Sequence, residues 1–355
     1  MRIALLARRT LFTQPGGDTV QIQHTADALE RLGHYTYIVK AGEKLPREID
    51  VLHFFNIGRP ADALPYFLEF EGRKVISTIF VDYSAADKFR FPLLHRIFGA
   101  HGMEYFKTIA RGLNRTDRFP SLRFIVTGQR RSMQLLLTKT DSIITSSMSE
   151  LERIARWAKM DGKKLRDRHH MIPLGLAPEF LHQGPSNNLR SGLLMVGRLE
   201  YLKNQLSIIK WAKTFSLPLT IIGDPNTNQP EYYQQCKDAA GPLTRFLPYS
   251  TTAVLINEMD RHKVFVIPSL FETYSLVAWE AAARGMRVVA NDVPDMNEVL
   301  EPIADLVDMN NEEQTVDLIM AALDDRNSSF NKKSQAWFSN YTWDQIGEKI
   351  DRTYR

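Results

Sequence analysis

Apolar residues fall into short runs along the first half of the chain, and segments with helical spacing separate most of these runs. The runs have the length of buried strands: RIALLA, YTYIV, VLHFF, KVISTIFV and SIITS. The segment DTVQIQHTADALERLG places Ile22, Ala26 and Leu29 at helical spacing and ends on Gly33. Buried strands that alternate with helices predict a parallel sheet with helices on both faces.

The second half repeats this pattern with GLLMVG, LTIIG, KVFVIP and RVVAN. Residues 172–188, where Pro, Gly, Ser and Asn accumulate, join the two sets. We therefore predict an α/β protein of two Rossmann-like domains, residues 1–177 and residues 178–340, facing each other across a cleft. The tail WDQIGEKIDRTYR predicts a final amphipathic helix.

Composition narrows the class of protein. A length of 355 residues favours two domains, and 44% apolar with 24% charged residues is typical of a soluble globular protein. The single cysteine, Cys236, excludes an internal disulfide and suits a reducing cytoplasm. The N-terminal apolar run is too short for a signal peptide, and no uncharged apolar run approaches the roughly 18 residues of a membrane span. We expect a cytoplasmic protein.

Positive charge is concentrated in residues 82–131, which contain ten Lys/Arg and four Asp/Glu, whereas the whole chain has a net charge of +4. Such a segment indicates an anionic partner or, equally well, the solvated face of a helical insertion. The sequence contains no recognisable nucleic-acid module, so we do not expect nucleic acid as the partner.

Ligands of open α/β sheets bind outside the carboxyl ends of strands, near helix N-termini. In QPGGDTVQ, Gly16 and Gly17 remove side chains where a ligand could approach the backbone, although such a pair is more often only a turn. Asp18 and Gln21 have the spacing of a capping box. The stretch is not GxGxxG, so a nicotinamide cofactor is not indicated.

Two cations follow the first strand of the second half. In GLLMVGRLEYLKNQ, Arg198 comes directly after the strand and Lys203 at the start of a helix. The forked guanidinium and the compact ammonium could together hold a diphosphate. The alternative is two solvated surface cations. The Gly-Asp-Pro turn in TIIGDPN does not indicate a particular ligand, because an ordinary strand-to-helix turn explains it.

The stretch FETYSLVAWE places Glu272 on a loop after a strand and Glu280 on the following helix. A helix that begins near Thr273–Ser275 directs its free amides and its dipole at an anion. Sugar hydroxyls are donors, and the two carboxylates could accept from them. The sequence has no Asp-x-Asp, no HExxH and no Cys/His set with metal spacing, so we expect no metal.

These motifs, in this order, resemble those of the large family of retaining GT-B glycosyltransferases (group 1, bacterial polysaccharide and lipopolysaccharide type). The resemblance covers nearly the whole chain and rests on PGGDTVQIQHTADALERLGHYTYIV, SIITSSMSELERIARW, HMIPLGLAPEF, VGRLEYLKNQ, IIGDP, TRFLPY, PSLFETYSLVAWEAAARGMRVVAND and YTWDQIGEKI. It implies a GT-B fold whose tail, residues 341–355, packs back onto the first domain.

The resemblance also implies roles for the matched residues. Glu280 would bind the ribose hydroxyls of a nucleotide-sugar, UDP- or GDP-linked, which is a substrate and not a cofactor. Glu272 would contact the donor sugar near the reacting centre, while Arg198 and Lys203 would hold the diphosphate. Further donor contacts are implied for the following positions: Gly16, Gly17, Thr273, Tyr274, Ser275, Leu276, Phe246 and Leu247.

This chain departs from the family pattern in two places. The family often has His-Asp after the fourth strand; here Asp82 matches, but Phe80 or Val81 stands where the histidine would be. His101, in the basic insertion, is a candidate for the missing imidazole, although a lone loop histidine is more often a bystander. The family's Gly-Phe-Gly between the glutamates is Thr-Tyr-Ser at 273–275, which we expect to add bulk beside the sugar.

The resemblance implies domain closure on the donor and transfer to an acceptor hydroxyl with retained configuration. We expect a hexosyltransferase of bacterial surface polysaccharide biosynthesis, with a glycan or lipid-linked acceptor and a peripheral contact with an anionic membrane through residues 82–131. Two alternatives remain open. One is a soluble glycosyltransferase acting on a small metabolite, and the other is a catalytically silent GT-B protein that binds a nucleotide.

Overall fold

The computed structural model divides the chain into two compact units, one of Met1–Gly175 with Trp343–Arg355 and the other of Leu176–Thr342. The structure describes residues 1–84, 87–88, 91–114, 116–182, 184, 189–324, 333 and 335–355. Residues 85–86, 89–90 and 115 of the predicted basic segment, and residues 183 and 185–188 of the predicted join, lie outside the described residues.

The first unit is built on a parallel sheet of six strands in the order β2-β1-β3-β4-β5-β6. Its strands are β1 (Arg2–Ala7), β2 (Tyr35–Lys40), β3 (Val51–Phe55), β4 (Arg73–Ser77), β5 (Ser142–Thr145) and β6 (His169–Met171). The helices between them are α1 (Gly17–Arg31), α2 (Pro60–Glu69), α3 (Pro92–Leu113), α4 (Leu122–Lys139), α5 (Met148–Ala158) and α6 (Gly162–Arg166).

The second unit has the same architecture, with strand order β12-β11-β10-β7-β8-β9. Its strands are β7 (Leu193–Val196), β8 (Leu219–Ile222), β9 (Thr244–Leu247), β10 (Val264–Ile267), β11 (Arg287–Asn291) and β12 (Ala304–Val307). Its helices are α7 (Gln205–Thr214), α8 (Pro230–Ala239), α9 (Thr252–Arg261), α10 (Leu276–Ala283), α11 (Pro294–Leu300), α12 (Glu312–Leu323) and α13 (Gln335–Phe338). The predicted α/β class with two parallel sheets is confirmed.

The central strands explain why their sequences are almost wholly apolar. Every residue of β3 and of β11 is buried, because helices cover both faces of a parallel sheet. In the first unit Phe54 of β3 packs edge-to-face on Phe67 of α2, with ring centroids 6.2 Å apart. Both rings belong to one cluster of buried residues in the first unit.

The strand predicted through KVISTIFV is too long. Strand β4 ends at Ser77, and Ile79 has a φ of +40°, a conformation that a β-branched residue rarely adopts. The Glu150 carboxylate of α5 accepts hydrogen bonds from the Thr78 hydroxyl and from the Phe80 amide, at 2.5 and 2.8 Å. These side-chain contacts replace the sheet hydrogen bonds at this point.

The last helix, α14 (Trp343–Arg352), packs on α1 of the first unit. Gly347 allows this approach, since a Cβ at that position would lie 2.6 Å from the Cβ of Ala28. Beyond the helix, the hydroxyl of Tyr354 is 2.7 Å from Nδ1 of the fully buried His53 in β3. The chain end therefore completes the core of the first unit.

No helix in the described part of the chain is long and apolar enough to cross a membrane.

Candidate active site

The strand order of the second unit places four of the predicted donor residues after two neighbouring strands. The chain runs from β7 outward to β9, then returns to place β10 on the other side of β7. The carboxyl ends of β7 and β10 therefore form a topological switch point, where ligands of open α/β sheets bind. Arg198 and Lys203 follow β7, and Glu272 and Glu280 follow β10.

Lys203 and Glu272 meet at this switch point and form an ion pair. Ser269, in the loop after β10, also donates its hydroxyl to Oε1 of Glu272, at 2.9 Å. Both charged side chains are largely buried, with 26% of Lys203 and 13% of Glu272 exposed. They border a small cavity of about 20 Å³, which has room for roughly one water molecule.

Arg198 lies on the loop that follows β7, and its side chain is exposed. Its backbone is held by Gln205, whose Nε2 donates to the Arg198 carbonyl at 2.9 Å. Among the described residues the guanidinium has no hydrogen-bond or ion-pair partner. It is therefore available to an anion without breaking an existing contact.

Gly223 sets how closely the ends of β7 and β8 approach. A Cβ at Gly223, whose φ is +155°, would lie 2.1 Å from the carbonyl oxygen of Gly197. Only glycine fits at this position, which explains the glycine of the IIGDP motif in physical terms.

Helix α10 begins at Leu276, one residue after the predicted range Thr273–Ser275. Its N-cap, Ser275, has φ +58° and ψ +64°, a left-handed conformation that favours glycine. Serine holds this conformation here directly beside the cavity, which Ser275 lines.

We expected the Tyr274 side chain to add bulk beside the sugar, and the position of its ring shows that this expectation is wrong. Tyr274 is buried and stacks on Trp279, with ring centroids 5.2 Å apart and planes 17° from parallel. Trp279 in turn contacts Trp337, Phe338 and Tyr341. The aromatic cluster holds the ring, so at residue 274 only the backbone can face a ligand.

Glu280 lies in the second turn of α10 and is buried, with 9% exposed. No described residue donates a hydrogen bond to its carboxylate or forms an ion pair with it. Burial raises its pKa from 4.5 to about 8. A buried carboxyl group that lacks protein donors is unfavourable in the free protein and is suited to accept hydrogen bonds from a ligand.

Phe246 and Leu247 are the last residues of β9, the edge strand beside β8. The ammonium group of Lys237 lies 4.2 Å from the centroid of the Phe246 ring. The carboxylate of Asp224, after β8, accepts a hydrogen bond from the Tyr249 amide at 3.0 Å and so fixes the loop after β9. Both predicted base-pocket residues thus stand at the carboxyl edge of the sheet.

In the first unit Gly16 is the N-cap of α1 and Gly17 is its first residue. No atom lies within 4 Å of a Cβ built at Gly17, so this backbone is open to approach. The predicted capping box is wrong. The Gly16 amide donates to the hydroxyl of Thr19, whereas Asp18 binds the guanidinium of Arg8 at 2.6 and 3.0 Å.

The residues around the missing histidine also lie in the first unit. Phe80 is buried against Trp157, with ring centroids 5.3 Å apart, and His101 lies 4.2 Å from the same indole. His101 is in helix α3 and not in a loop as expected. Burial and then Arg130 lower its pKa, while Asp82 acts weakly in the opposite direction. The indole of Trp157 therefore contacts both His101 and Phe80, whose loop also carries Asp82.

Sequence reasoning missed Ser269 and Glu150. Ser269 precedes the glutamate motif by three residues and orients Glu272 through its hydroxyl. Glu150 was only one of several acidic residues in a predicted helix, and no spacing signalled its contacts with the loop after β4. Among the described residues no group of three or more His, Cys, Asp or Glu could hold a metal ion.

Comparisons with known proteins bear on this site. Residues 180–352, just under half of the chain, match the family described as Glycosyl transferases group 1. No curated protein matches the sequence.

Several solved structures are similar over the whole chain. Sucrose-phosphate synthase from Thermosynechococcus elongatus is 15% identical, with a TM-score of 0.70 over 100% of this chain and 98% of that chain. Anabaena Alr3699/HepE in complex with UDP is 13% identical, with a TM-score of 0.67 over 99% of both chains. The lipopolysaccharide outer core galactosyltransferase WaaB is 11% identical, with a TM-score of 0.62 over 99% of both chains.

At these identities the likeness shows the fold, which is GT-B. The fold and the family match together identify this protein as an enzyme, a glycosyltransferase.

Proposed function

We propose that this glycosyltransferase uses a nucleotide-sugar, without metal and with retention of configuration, to glycosylate a glycan or lipid-linked acceptor in bacterial surface polysaccharide biosynthesis. The observation that carries the proposal is the Glu280 carboxyl group, which is buried on helix α10 and has no hydrogen-bond donor among the described residues. Ribose hydroxyls would supply the missing donors. The donor is a substrate, and the proposal includes no cofactor.

The leaving diphosphate would be held by cations and backbone amides. Arg198 is free to bind it, and Lys203 would share its ammonium between Glu272 and a phosphate oxygen. The N-terminus of α10 adds free amides and the positive end of the helix dipole. These groups would stabilise the charge that develops as the glycosidic bond breaks, which is the largest contribution in such reactions.

Retention would follow if the acceptor hydroxyl attacks the anomeric carbon on the face from which the diphosphate leaves. The acceptor proton would then pass to the departing phosphate oxygen, so that no protein carboxylate becomes glycosylated. Glu272, already oriented by Ser269 and Lys203, would accept hydrogen bonds from the sugar hydroxyls. UDP-sugars are the first donors to test, because Alr3699/HepE has a structure in complex with UDP-glucose.

A second function has two observations in its favour. Lys203, a proposed diphosphate ligand, is already paired with Glu272, and Phe80 or Val81 stands where the family often has a histidine. Both features fit a protein that binds a nucleotide and transfers nothing.

The experiment is a panel of UDP-, GDP-, ADP- and TDP-sugars in the presence of a chelator, with thermal shift and donor hydrolysis as readouts. We expect one donor to stabilise the protein and to be hydrolysed slowly, and Glu280→Gln to lose both effects. Binding without hydrolysis or transfer would support the silent protein. Binding that Glu280→Gln leaves intact would contradict the proposed donor site.

A further inference from the structure

Five aliphatic side chains within residues 93–126 are far more exposed than is usual for their type. Leu93, Ile97, Leu113, Leu122 and Val126 are 65–78% exposed. In the rest of the described chain the only large aliphatic side chain as exposed is Leu189. Singly exposed apolar residues need no explanation, but a concentration of this kind marks an interaction surface.

Four of these side chains form two pairs on two short helical segments, residues 92–98 and residues 122–127, which we call the arms. Leu93 and Ile97 are four residues apart in the first part of α3, and Leu122 and Val126 have the same spacing in the first part of α4. Residues four apart share one face of a helix. Each arm therefore presents a two-residue apolar face to solvent.

A glycine ends each arm. Helix α3 is interrupted at Gly99, with φ +62° and ψ +179°, and α4 is interrupted at Gly128, with φ +70° and ψ −179°. Residues other than glycine are strongly disfavoured in this conformation. Phe98, just before the first bend, packs on Phe106 beyond it, with ring centroids 4.6 Å apart. The second arm packs on the unit through Phe124, which is fully buried in its core, while Leu122 and Val126 remain exposed.

The exposed charges of the same stretch are cationic. Within residues 91–131 the side chains of Arg96, Arg118, Arg123 and Arg131 are exposed. The two acidic residues of that stretch are turned to internal partners: Asp117 is buried against Arg59, and Glu104 pairs with Lys107 at 2.8 Å. The protein neutralises its carboxylates here and leaves its guanidinium groups facing solvent.

We infer that the two arms dock on an anionic lipid bilayer. Their apolar pairs would enter the boundary between headgroups and acyl chains, and the arginines would bind the anionic headgroups. A glycan would leave Leu93, Ile97, Leu122 and Val126 without apolar partners. A second copy of this chain would bring like charges together. The docking surface is inferred from exposure and charge alone. Only its biological role, which is to bring the enzyme to a lipid-linked acceptor, rests on the proposed function.

The test is flotation of the full chain with vesicles of phosphatidylcholine alone and of phosphatidylcholine with phosphatidylglycerol, in low and in high salt. We expect binding only to the anionic vesicles, with partitioning at least tenfold weaker for Leu122→Ser with Val126→Ser, and similarly for Arg96→Gln with Arg123→Gln. Leu189→Ser is the matched control, because it removes an equally exposed aliphatic side chain from the other unit, and it should bind as wild type does.

Equal binding to both kinds of vesicle, no binding, or equal loss in Leu189→Ser would overturn the inference. A dimer in solution that the Leu122→Ser, Val126→Ser variant dissociates would overturn it in favour of self-association. Vesicle binding is measured without donor, and donor hydrolysis is measured without vesicles. Failure of the docking surface is therefore distinguishable from failure of the proposed function.

Discussion

Glu150 of the first unit and Glu280 of the second are both buried and lie on helices that follow the carboxyl end of a strand. Glu150 of α5 is 1% exposed and accepts four hydrogen bonds, from the Thr78 hydroxyl, the Phe80 amide, and both the amide and the hydroxyl of Ser146. Glu280 of α10 is buried almost as deeply and, among the described residues, accepts none. Burial alone therefore does not distinguish a structural carboxylate from a ligand-binding one.

The difference lies in which molecule supplies the donors. At Glu150 the chain supplies them, and the carboxylate ties the loop after β4 to α5. At Glu280 they are missing, so burial raises the pKa to about 8 and the free protein carries an unfavourable group. A protein retains such a group where a ligand compensates it. Four predictions test this comparison.

The largest effect is expected at Glu150. Glu150→Ala removes the acceptor of two buried and two partly buried hydrogen bonds and should lower the free energy of unfolding of the first unit by about 4 kcal/mol. Denaturant unfolding measures this. Glu152→Ala is the matched control on the same helix; it removes only an exposed ion pair with Arg166 and should cost about 0.5 kcal/mol or less. Equal losses would show that Glu150 does not hold the loop.

Glu280→Gln should stabilise the free protein, and the gain should depend on pH. In the folded state the Glu280 carboxyl group keeps its proton up to about pH 8, whereas in the unfolded chain it loses the proton near pH 4.5. Between these values the folded state binds more protons, so wild-type stability falls as pH rises. The variant should match wild type near pH 4 and exceed it by about 3 kcal/mol near pH 7. A gain that is constant with pH would contradict burial as the cause.

The same substitution should have the opposite effect on function. Glu280→Gln keeps the shape of the side chain but replaces one acceptor oxygen by an NH2 group that only donates, so we expect donor turnover to fall about 100-fold, equivalent to about 2.7 kcal/mol. Steady-state donor hydrolysis measures this. Glu231→Gln, an exposed residue of α8, should leave turnover unchanged. An active and stabilised Glu280→Gln enzyme would remove the distinction between the two glutamates.

The smallest effect is expected at Ser275. Its left-handed conformation costs roughly 1–2 kcal/mol for a residue other than glycine. Ser275→Gly should relieve this strain without disturbing Tyr274, whose ring is held by Trp279, and should raise unfolding stability by about 1 kcal/mol. Thermal unfolding with and without donor measures the change. Destabilisation would indicate that the serine side chain makes contacts that outweigh the strain.

Central strands of both sheets were predictable from the sequence, and several edge strands were not. The apolar runs of β1, β3, β10 and β11 reflect burial on both faces. The sequence analysis did not predict β6, β9 and β12, which all lie at sheet edges and carry partly exposed residues. An edge strand can be stabilised by its one neighbour without a continuous apolar run, and the periodicity of its own sequence does not report that neighbour.

For the site, the strand-end rule predicted that Lys203 and Glu272 would lie close together. It could not predict that they pair with each other, because that depends on the exact direction of two side chains and on Ser269. Likewise the direction of the Tyr274 ring is decided by Trp279 and the cluster beyond it. The sequence predicted where the backbone of these residues lies, whereas packing determines which of their side chains point inward.

The attachment of residues 343–355 to the first unit has a consequence for synthesis. The ribosome makes these residues only after the whole of the second unit, so His53 meets Tyr354, and Ala28 meets Gly347, only once the second unit has been made. Most of the first unit is thus made before the second, yet its core is completed afterwards, and the second unit could fold first. A protease or a chaperone that acts on the growing chain would encounter the first unit open along α1.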